Sequence, residues 1–215
     1  SSPTGQTDAE FGFDVSFYVF ALPWWRWVIA MTTAMLTFST IAAAVVHYVM
    51  GALRVAKGER RRTSRAAQVH LTVLIGLTVL CFAVSAWLDR YGYLVTTNQL
   101  LTGLGYTDDH ARITASLVVA VITALCAALF IVNIALRRWM IPVTALVLAI
   151  VSSVLLTMLY PAAVQAIEVN PNEPDKERPY IQAHIAATRQ AYGIENAEVT
   201  DYSAETRATA GQLRA

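Results

Sequence analysis

Four long stretches of apolar residues, separated by short polar segments, dominate this sequence. They cover about residues 27–50, 69–88, 113–136 and 142–164, and none of them contains Asp, Glu, Lys or Arg. A helix rises about 1.5 Å per residue, so about 20 such residues cross the roughly 30 Å hydrocarbon layer of a bilayer. The pattern therefore predicts an all-α membrane protein with four transmembrane helices joined by short loops.

The composition supports this class. Hydrophobic residues make up 56% of the chain and charged residues 14%, whereas soluble domains average about 25% charged. The formal net charge is +1, which gives no reason to expect nucleic acid as a partner. Cys81 and Cys126 both lie inside apolar stretches, where they are expected to pack rather than to form a disulfide or bind zinc. No residue pattern predicts a cofactor.

A cluster of cations between the first two stretches sets the predicted orientation, because Arg and Lys in short loops remain on the cytoplasmic side. The cluster consists of Arg54, Lys57, Arg60, Arg61, Arg62 and Arg65. Arg137 and Arg138 mark the same side after the third stretch, against Arg26, Arg90 and Arg112 on the other. We therefore predict a multi-pass bacterial plasma-membrane protein with both termini extracytoplasmic. The basic loop should also attract anionic lipid, at about 1 kcal/mol per cation.

The first 26 residues are predicted to lie outside the hydrocarbon layer. Residues 11–27 combine many aromatic side chains with Asp14, Pro23 and Arg26, which is typical of a segment in the headgroup layer. Three tryptophans at positions 24, 25 and 27 suit the same interface. Residues 1–26 are thus expected to form an extracytoplasmic or interfacial segment.

The last 50 residues are polar and are predicted to form an extracytoplasmic connector and the start of an outer domain. Residues 168–178 are charged and rich in proline, so they are expected to be extended. A short amphipathic helix should begin at Pro179 and end at Gly193. A strand is expected around Glu198 to Tyr202. The predicted domains are therefore 1–26, 27–165 and 166–215.

Packing between the helices has its own sequence signal. Ala120, Ala124 and Ala128 recur every fourth residue, a spacing that lets another helix approach closely. Pro161 should bend the fourth helix, with Thr157 able to satisfy a carbonyl that the proline leaves free. The main polar groups inside the third and fourth stretches are expected to form interhelical hydrogen bonds rather than a substrate path; they are Asn133, Ser152 and Ser153.

Two sets of side chains have a functional and a structural interpretation. His47 and His70 lie near the same end of adjacent antiparallel helices, so they either face each other and respond to pH or pack at the interface. A set of carboxylates with His110 either holds a divalent cation such as calcium or supplies helix caps and solvated charges; it comprises Asp89, Asp108, Asp109, Glu168, Glu173 and Asp175. Thr107 or Asp108 is the expected cap of the third helix.

Four blocks of the sequence stand out: FGFDVSFYVFALPWWR at 11–26, WLDRYGYL at 87–94, GLGYTDDHA at 103–111 and VNPNEPDKERPYIQAHIAATRQAYG at 169–193. Together they resemble the bacterial membrane family UPF0182, which is common in actinobacteria. The resemblance implies further helices before this region, a large extracytoplasmic domain after it, and the orientation given by the charges. It implies no catalytic role. His184 stands where the resemblance leads us to expect asparagine, and the opening SSPTGQTDAE, without Met, suggests a fragment.

The leading functional hypothesis is an envelope scaffold or assembly subunit whose helices anchor an outer domain. Its expected partners are the lipid bilayer and other membrane subunits or the rest of a longer chain, with no nucleic acid. The alternative is transport of lipid or a small solute within a larger membrane complex. No catalytic constellation is present in the sequence, which disfavours an enzyme.

Overall fold

Helices form nearly all of the chain that the computed structural model describes, namely residues 5–8, 10–52, 64–96, 103–136, 138, 140–197 and 200. The α-helices are α1 (Leu22–Val49), α2 (Arg65–Gly92), α3 (Ile113–Leu136), α4 (Met140–Val154), α5 (Tyr160–Val164) and α6 (Glu173–Ala191). Short π turns and 3-10 turns extend or join them. Within the described ranges there is no strand, and one isolated antiparallel bridge joins Thr7 to Asp14.

Four helical runs are long and apolar enough to cross a bilayer, judged by length and composition. They are Phe17–Val49, Arg65–Val95, Asp108–Leu136 and Met140–Ala191. This confirms the prediction of an all-α membrane protein with four long apolar helices. Helix α3 coincides with the third apolar stretch, whereas α1, α2 and α4 begin before theirs. The division into membrane and outer domains stays a prediction.

Two ends of the bundle can be named from contacts between α1 and α2. At the Asp89 end, where α1 begins and α2 ends, Arg26 contacts Asp89. At the His47 end, where α1 ends and α2 begins, His47 contacts His70. The two helices are therefore antiparallel neighbours, as the short loop between them predicts.

Three π turns each end two residues before a proline. They are Phe17–Ala21 before Pro23, Leu155–Leu159 before Pro161 and Gln165–Val169 before Pro171. Proline donates no hydrogen bond and its ring clashes with the carbonyl four residues earlier. A π turn closes over five residues, as the bond from the Tyr160 N–H to the Leu155 carbonyl does, and this wider turn gives the ring room. The helices therefore continue through these prolines.

This continuity lengthens the first helix and corrects one prediction. The first helical run begins at Phe17, inside the segment predicted to be interfacial, and passes through Pro23, which occupies the first turn of α1. Residues 168–178 are not extended, since they form the end of a π turn, a 3-10 turn and the start of α6. Helix α6 begins at Glu173 rather than at Pro179, which lies in its interior. The strand expected around residues 198–202 falls outside the residues that can be described.

The core of the bundle lies where α2, α3 and α4 meet. Val79, Cys126, Ala127, Phe130 and Ala149 are buried there. A Cβ on the α2 glycine at position 76 would lie 3.2 Å from that of Phe130, so the two helices are in close contact. Burial of a phenylalanine side chain such as that of Phe130 stabilises a soluble fold by about 3–5 kcal/mol relative to alanine.

The residues before α1 form a compact turn around Asp8. Its carboxylate accepts hydrogen bonds from the N–H groups of Glu10, Phe11 and Phe13 and from the hydroxyl of Tyr18, at 2.6–2.9 Å. Burial alone would raise the pKa of Asp8, but these hydrogen bonds outweigh it and hold the pKa below its ordinary value. The turn is thereby attached to the start of the first helical run.

Two of the three polar residues expected to form interhelical hydrogen bonds, Asn133 and Ser153, bond within or beside their own helix instead. The Ser153 hydroxyl donates to the Ala149 carbonyl of its own helix. The side-chain amide oxygen of Asn133 accepts a hydrogen bond from the backbone N–H of Arg138, in the turn after α3. Thr157, expected to satisfy a carbonyl freed by Pro161, donates to the Ser153 carbonyl. Each hydroxyl reaches the carbonyl four residues earlier, a nearer partner than any neighbouring helix.

Candidate functional site

Side chains from two distant segments meet at the Asp89 end of the bundle. One segment, residues 103–112, leads into α3, and the other, residues 165–184, runs from the end of α5 into α6. The contacting residues are Tyr106, Asp109, His110, Lys176, Glu177, Tyr180 and His184. We call this set the α6 contact site.

Two glycines let α6 approach the 103–112 segment. Gly103 has φ +128°, and a Cβ placed there would lie 2.3 Å from Cε1 of His184. A Cβ on Gly105 would lie 3.3 Å from a carboxylate oxygen of Glu177. The His184 ring is held over this backbone by a 3.3 Å contact between its Nε2 and the Leu104 carbonyl. Only glycine combines that backbone angle with so close a neighbour.

Tyr106 is the centre of the site. Its hydroxyl accepts a 2.8 Å hydrogen bond from Lys176 Nζ, which also lies 4.3 Å from the centre of the ring. Its backbone N–H donates to the Glu177 carboxylate at 3.2 Å. The His110 ring stacks on the Tyr106 ring, with 4.1 Å between the ring centres. Tyr106 thus contacts consecutive residues of α6 through its backbone, hydroxyl and ring.

Tyr180 makes the second group of contacts. Its hydroxyl donates to Oδ2 of Asp109 at 2.6 Å and lies 3.4 Å from Nδ1 of His110. The His110 and Asp109 side chains are 3.5 Å apart. A hydrogen bond to a carboxylate is shorter and stronger than one between neutral groups. The start of the third helical run is therefore fixed to the middle of α6.

The residues that border the site are also paired. The buried Asp108 carboxylate forms a 2.7 Å ion pair with Arg112, one turn along the helix. Of the two expected caps, Thr107 forms no side-chain cap and donates instead to Gln165, whereas Asp108 lies inside the helical run. The polar side chains that border the α6 contact site are therefore paired with one another. The arrangement fixes the position of α6 rather than directing free polar groups at a substrate.

The carboxylates predicted as a candidate cation site are dispersed among separate partners. Asp89 pairs with Arg26 at 2.7 Å, and Asp175 pairs with Arg178 at 3.1 Å. Glu168 contacts the Tyr106 hydroxyl at 3.4 Å, whereas Glu173 is exposed in the first turn of α6. In the part of the chain that the structure describes, no three His, Cys, Asp or Glu side chains are placed to hold a metal ion.

The remaining predicted residues lie elsewhere. His47 and His70 do face each other, with Nε2 and Nδ1 3.2 Å apart. Arg65 is the first residue of α2, and the other five cations of the basic loop lie outside the described residues: Arg54, Lys57, Arg60, Arg61 and Arg62. Of the α3 alanines, Ala120 is buried, whereas Ala124 and Ala128 are exposed. Their role as a packing face stays a prediction.

A cavity of about 630 Å³ lies among α1, α2, α3 and α4. Its lining is mostly apolar, and it includes Phe82, Ile150 and, at the Asp89 end of the bundle, Asp89 itself. Six of the seven hydroxyl groups in the lining donate to carbonyls of their own helices; they belong to Thr37, Thr40, Thr78, Thr123, Ser153 and Thr157. The seventh belongs to Ser85. The sequence pattern gave no indication of this cavity.

Sequence reasoning also missed Tyr106, Lys176, Glu177 and Tyr180 as site residues. A signal was present, because all four lie within the blocks GLGYTDDHA and NEPDKERPYIQAH. Those blocks are unusually polar and aromatic for segments beside membrane helices. Nothing in their spacing, however, indicates that they contact each other.

Comparison with known proteins gives a consistent match. The model of the Uncharacterised protein family (UPF0182) matches residues 1–215. Similar relatives are UPF0182 proteins of Nocardioides sp. (43% identical over 96% of this chain), Streptomyces coelicolor (44% over 93%) and Thermobifida fusca (41% over 98%). The matched region is 20–21% of each relative, so the chain spans about a fifth of their length. No solved structure matches it.

Proposed function

This chain belongs to the uncharacterised protein family UPF0182, and from that premise we propose that its helices anchor and orient an extracytoplasmic domain that continues from α6. In this proposal the protein is a plasma-membrane scaffold or assembly subunit. The basic loop lies in the cytosol, which places the Asp89 end and α6 on the outer side.

The α6 contact site is the observation that carries this proposal. Helix α6 has 19 residues and none of them is buried, so it lacks the tertiary packing that supplies most of the stability of helices in proteins. The bonds from Lys176, Glu177 and Tyr180 to residues 106–109 supply the missing restraint. A hydrogen bond contributes about 0.5–1.5 kcal/mol, and more when one partner is charged. Several together fix the direction in which the chain leaves the membrane region.

The apolar surface of α6 supports a continuation. Ile181, Ile185 and Tyr192 lie on one face of the helix at four-residue and seven-residue spacing. Their side chains are 39%, 48% and 78% exposed. An amphipathic helix usually buries such a face against further structure. A domain or subunit that packs on this face would be held at a fixed angle by the α6 contact site.

The experiment is a structural comparison of the native protein, purified from its own membrane, with a variant that carries both Glu177→Ala and Tyr180→Phe. We expect cryo-EM to find one orientation of the domain beyond α6 in the native protein and several in the variant. Native mass spectrometry of the same particle identifies every chain that travels with it. A solitary particle with no mass beyond α6 on the outer side contradicts the proposal.

Transport of lipid or a small solute is the second candidate, and the cavity is the observation that bears on it. All but one of its hydroxyls, that of Ser85, are bonded to their own helices, which leaves no row of free polar groups for a hydrated solute. The cavity therefore favours an apolar ligand over a polar one. A liposome flux assay of the native complex tests the transport role, which requires movement of solute or lipid above the rate of empty liposomes.

A further inference from the structure

We propose that the cavity among α1, α2, α3 and α4 binds one zwitterionic phospholipid with a primary amine in its headgroup, such as phosphatidylethanolamine. An acyl chain occupies the cavity, the phosphate contacts Arg26, and the ammonium contacts Asp89. This site is separate from the α6 contact site and does not depend on the anchoring role.

The lining selects a hydrocarbon chain. Its volume of about 630 Å³ lies within the range of about 300–1,000 Å³ that is usual for sites of small ligands. Because the Thr hydroxyls and the Ser153 hydroxyl of the lining donate to their own helices, a polar ligand would lose most of its hydrogen bonds to water without replacement. A flexible apolar chain has no such cost.

The charges at one end of the cavity select the headgroup. Asp89 is part of the lining, and its carboxylate pairs with Arg26 of α1 at 2.7 Å. The Arg26 side chain is 47% exposed and the Asp89 side chain 39%. An ion pair so exposed is weak. Each charge can therefore exchange its partner for a lipid charge: the guanidinium suits a phosphate, and the carboxylate suits an ammonium. A pair with both signs is complementary to a zwitterion, whereas an anionic headgroup would meet the repulsion of Asp89.

The aromatic side chains place this charge pair at the depth of lipid headgroups. Trp24, Trp25 and Trp27 flank Arg26 and are 53–59% exposed. Tryptophan favours the boundary between hydrocarbon and headgroups. A lipid that enters between the helices with its headgroup at Arg26 would thus remain at the level of its neighbours, with its acyl chain directed toward the middle of the bundle.

The experiment uses the native protein in nanodiscs that contain a phosphatidylethanolamine probe with a diazirine on its acyl chain. Irradiation should label cavity residues such as Phe82 and Ile150, identified by mass spectrometry of peptides. Unlabelled phosphatidylethanolamine should compete better than phosphatidylglycerol by about fivefold, the size expected for one charge at a lipid surface. Asp89→Asn should reverse this preference, because Arg26 then remains without its carboxylate. Asp175→Asn, which removes an exposed charge from α6, should leave the preference unchanged.

A matched pair of variants tests occupancy. Ser85 lines the cavity and the adjacent Val84 does not, so Ser85→Phe should abolish labelling while Val84→Phe retains it. The Asp89→Asn reversal tests the headgroup even if Ser85→Phe does not fold. Equal competition by both lipids overturns the proposal. The proposal is also overturned if the probe labels no cavity residue and Ile150→Cys forms a cross-link to another segment of the longer chain.

Discussion

The hydroxyl of Tyr180 donates a 2.6 Å hydrogen bond to the carboxylate of Asp109, a residue 71 positions earlier in the chain. This bond joins the middle of α6 to the start of the third helical run. Together with the contacts of Tyr106, it gives α6 a fixed place without a hydrophobic core. The position of α6 therefore depends on a few polar groups, and single substitutions should loosen it.

Tyr180→Phe should loosen α6 without unfolding the bundle. The change leaves the Asp109 carboxylate without its donor, and loss of a hydrogen bond to a charged group costs about 1.5–3 kcal/mol. We expect amide hydrogen exchange in Glu173–Ala191 to accelerate by about ten- to hundredfold, with little change in α2 or α3. Tyr48→Phe is the control, since that side chain is 65% exposed and lies in the last turn of α1, at the His47 end of the bundle. Equal effects from both variants would refute the role of the bond.

Gly103→Ala should disrupt the same region by another route. The residue has φ +128°, and the new Cβ would lie 2.3 Å from the His184 ring. Backbone strain alone costs about 1–3 kcal/mol, and the clash adds to it. Gly193→Ala is the matched control, because Gly193 has φ +65° but no atom near its Cβ position. Proteolysis after α6 should thus be faster in Gly103→Ala than in Gly193→Ala, and His184→Ala should restore part of the loss.

Acid should weaken the turn around Asp8. Its pKa is held below the ordinary value of 3.8 by hydrogen bonds that outweigh the effect of burial. A carboxyl group whose pKa is lower in the folded state stabilises that state above the unfolded pKa, and the contribution is lost as the pH falls through the folded pKa. Exchange protection of residues 10–18 should therefore be full above about pH 5 and should fall below about pH 4.

Asp8→Asn provides the comparison. The amide keeps one acceptor oxygen but carries no charge, so protection at neutral pH should be lower than in the native protein. Its dependence on pH between 3 and 5 should disappear. A variant that loses protection over the same acidic range as the native protein would show that another carboxyl group is responsible.

The helices could be predicted from the sequence because their signal is local. The stretch 113–136 is apolar throughout and coincides with α3. Prolines misled the prediction in residues 168–178, which were expected to be extended but follow a π turn and continue as a helical run. The α6 contact site had no local signal, because its bonds join residues about 70 positions apart. Pairing at that distance depends on how the helices pack, and residue spacing does not encode it.

The central claim is that α6 leaves the outer face of the membrane while the basic loop remains inside, and thiol labelling on intact cells tests it directly. Single cysteines at Gln182 of α6 and at Gly58 of the basic loop are placed in the native protein with Cys81 and Cys126 replaced by alanine. A membrane-impermeant maleimide should label Gln182→Cys on intact cells and should label Gly58→Cys only after permeabilisation. Labelling of Gly58→Cys from outside, with Gln182→Cys protected, would contradict the account.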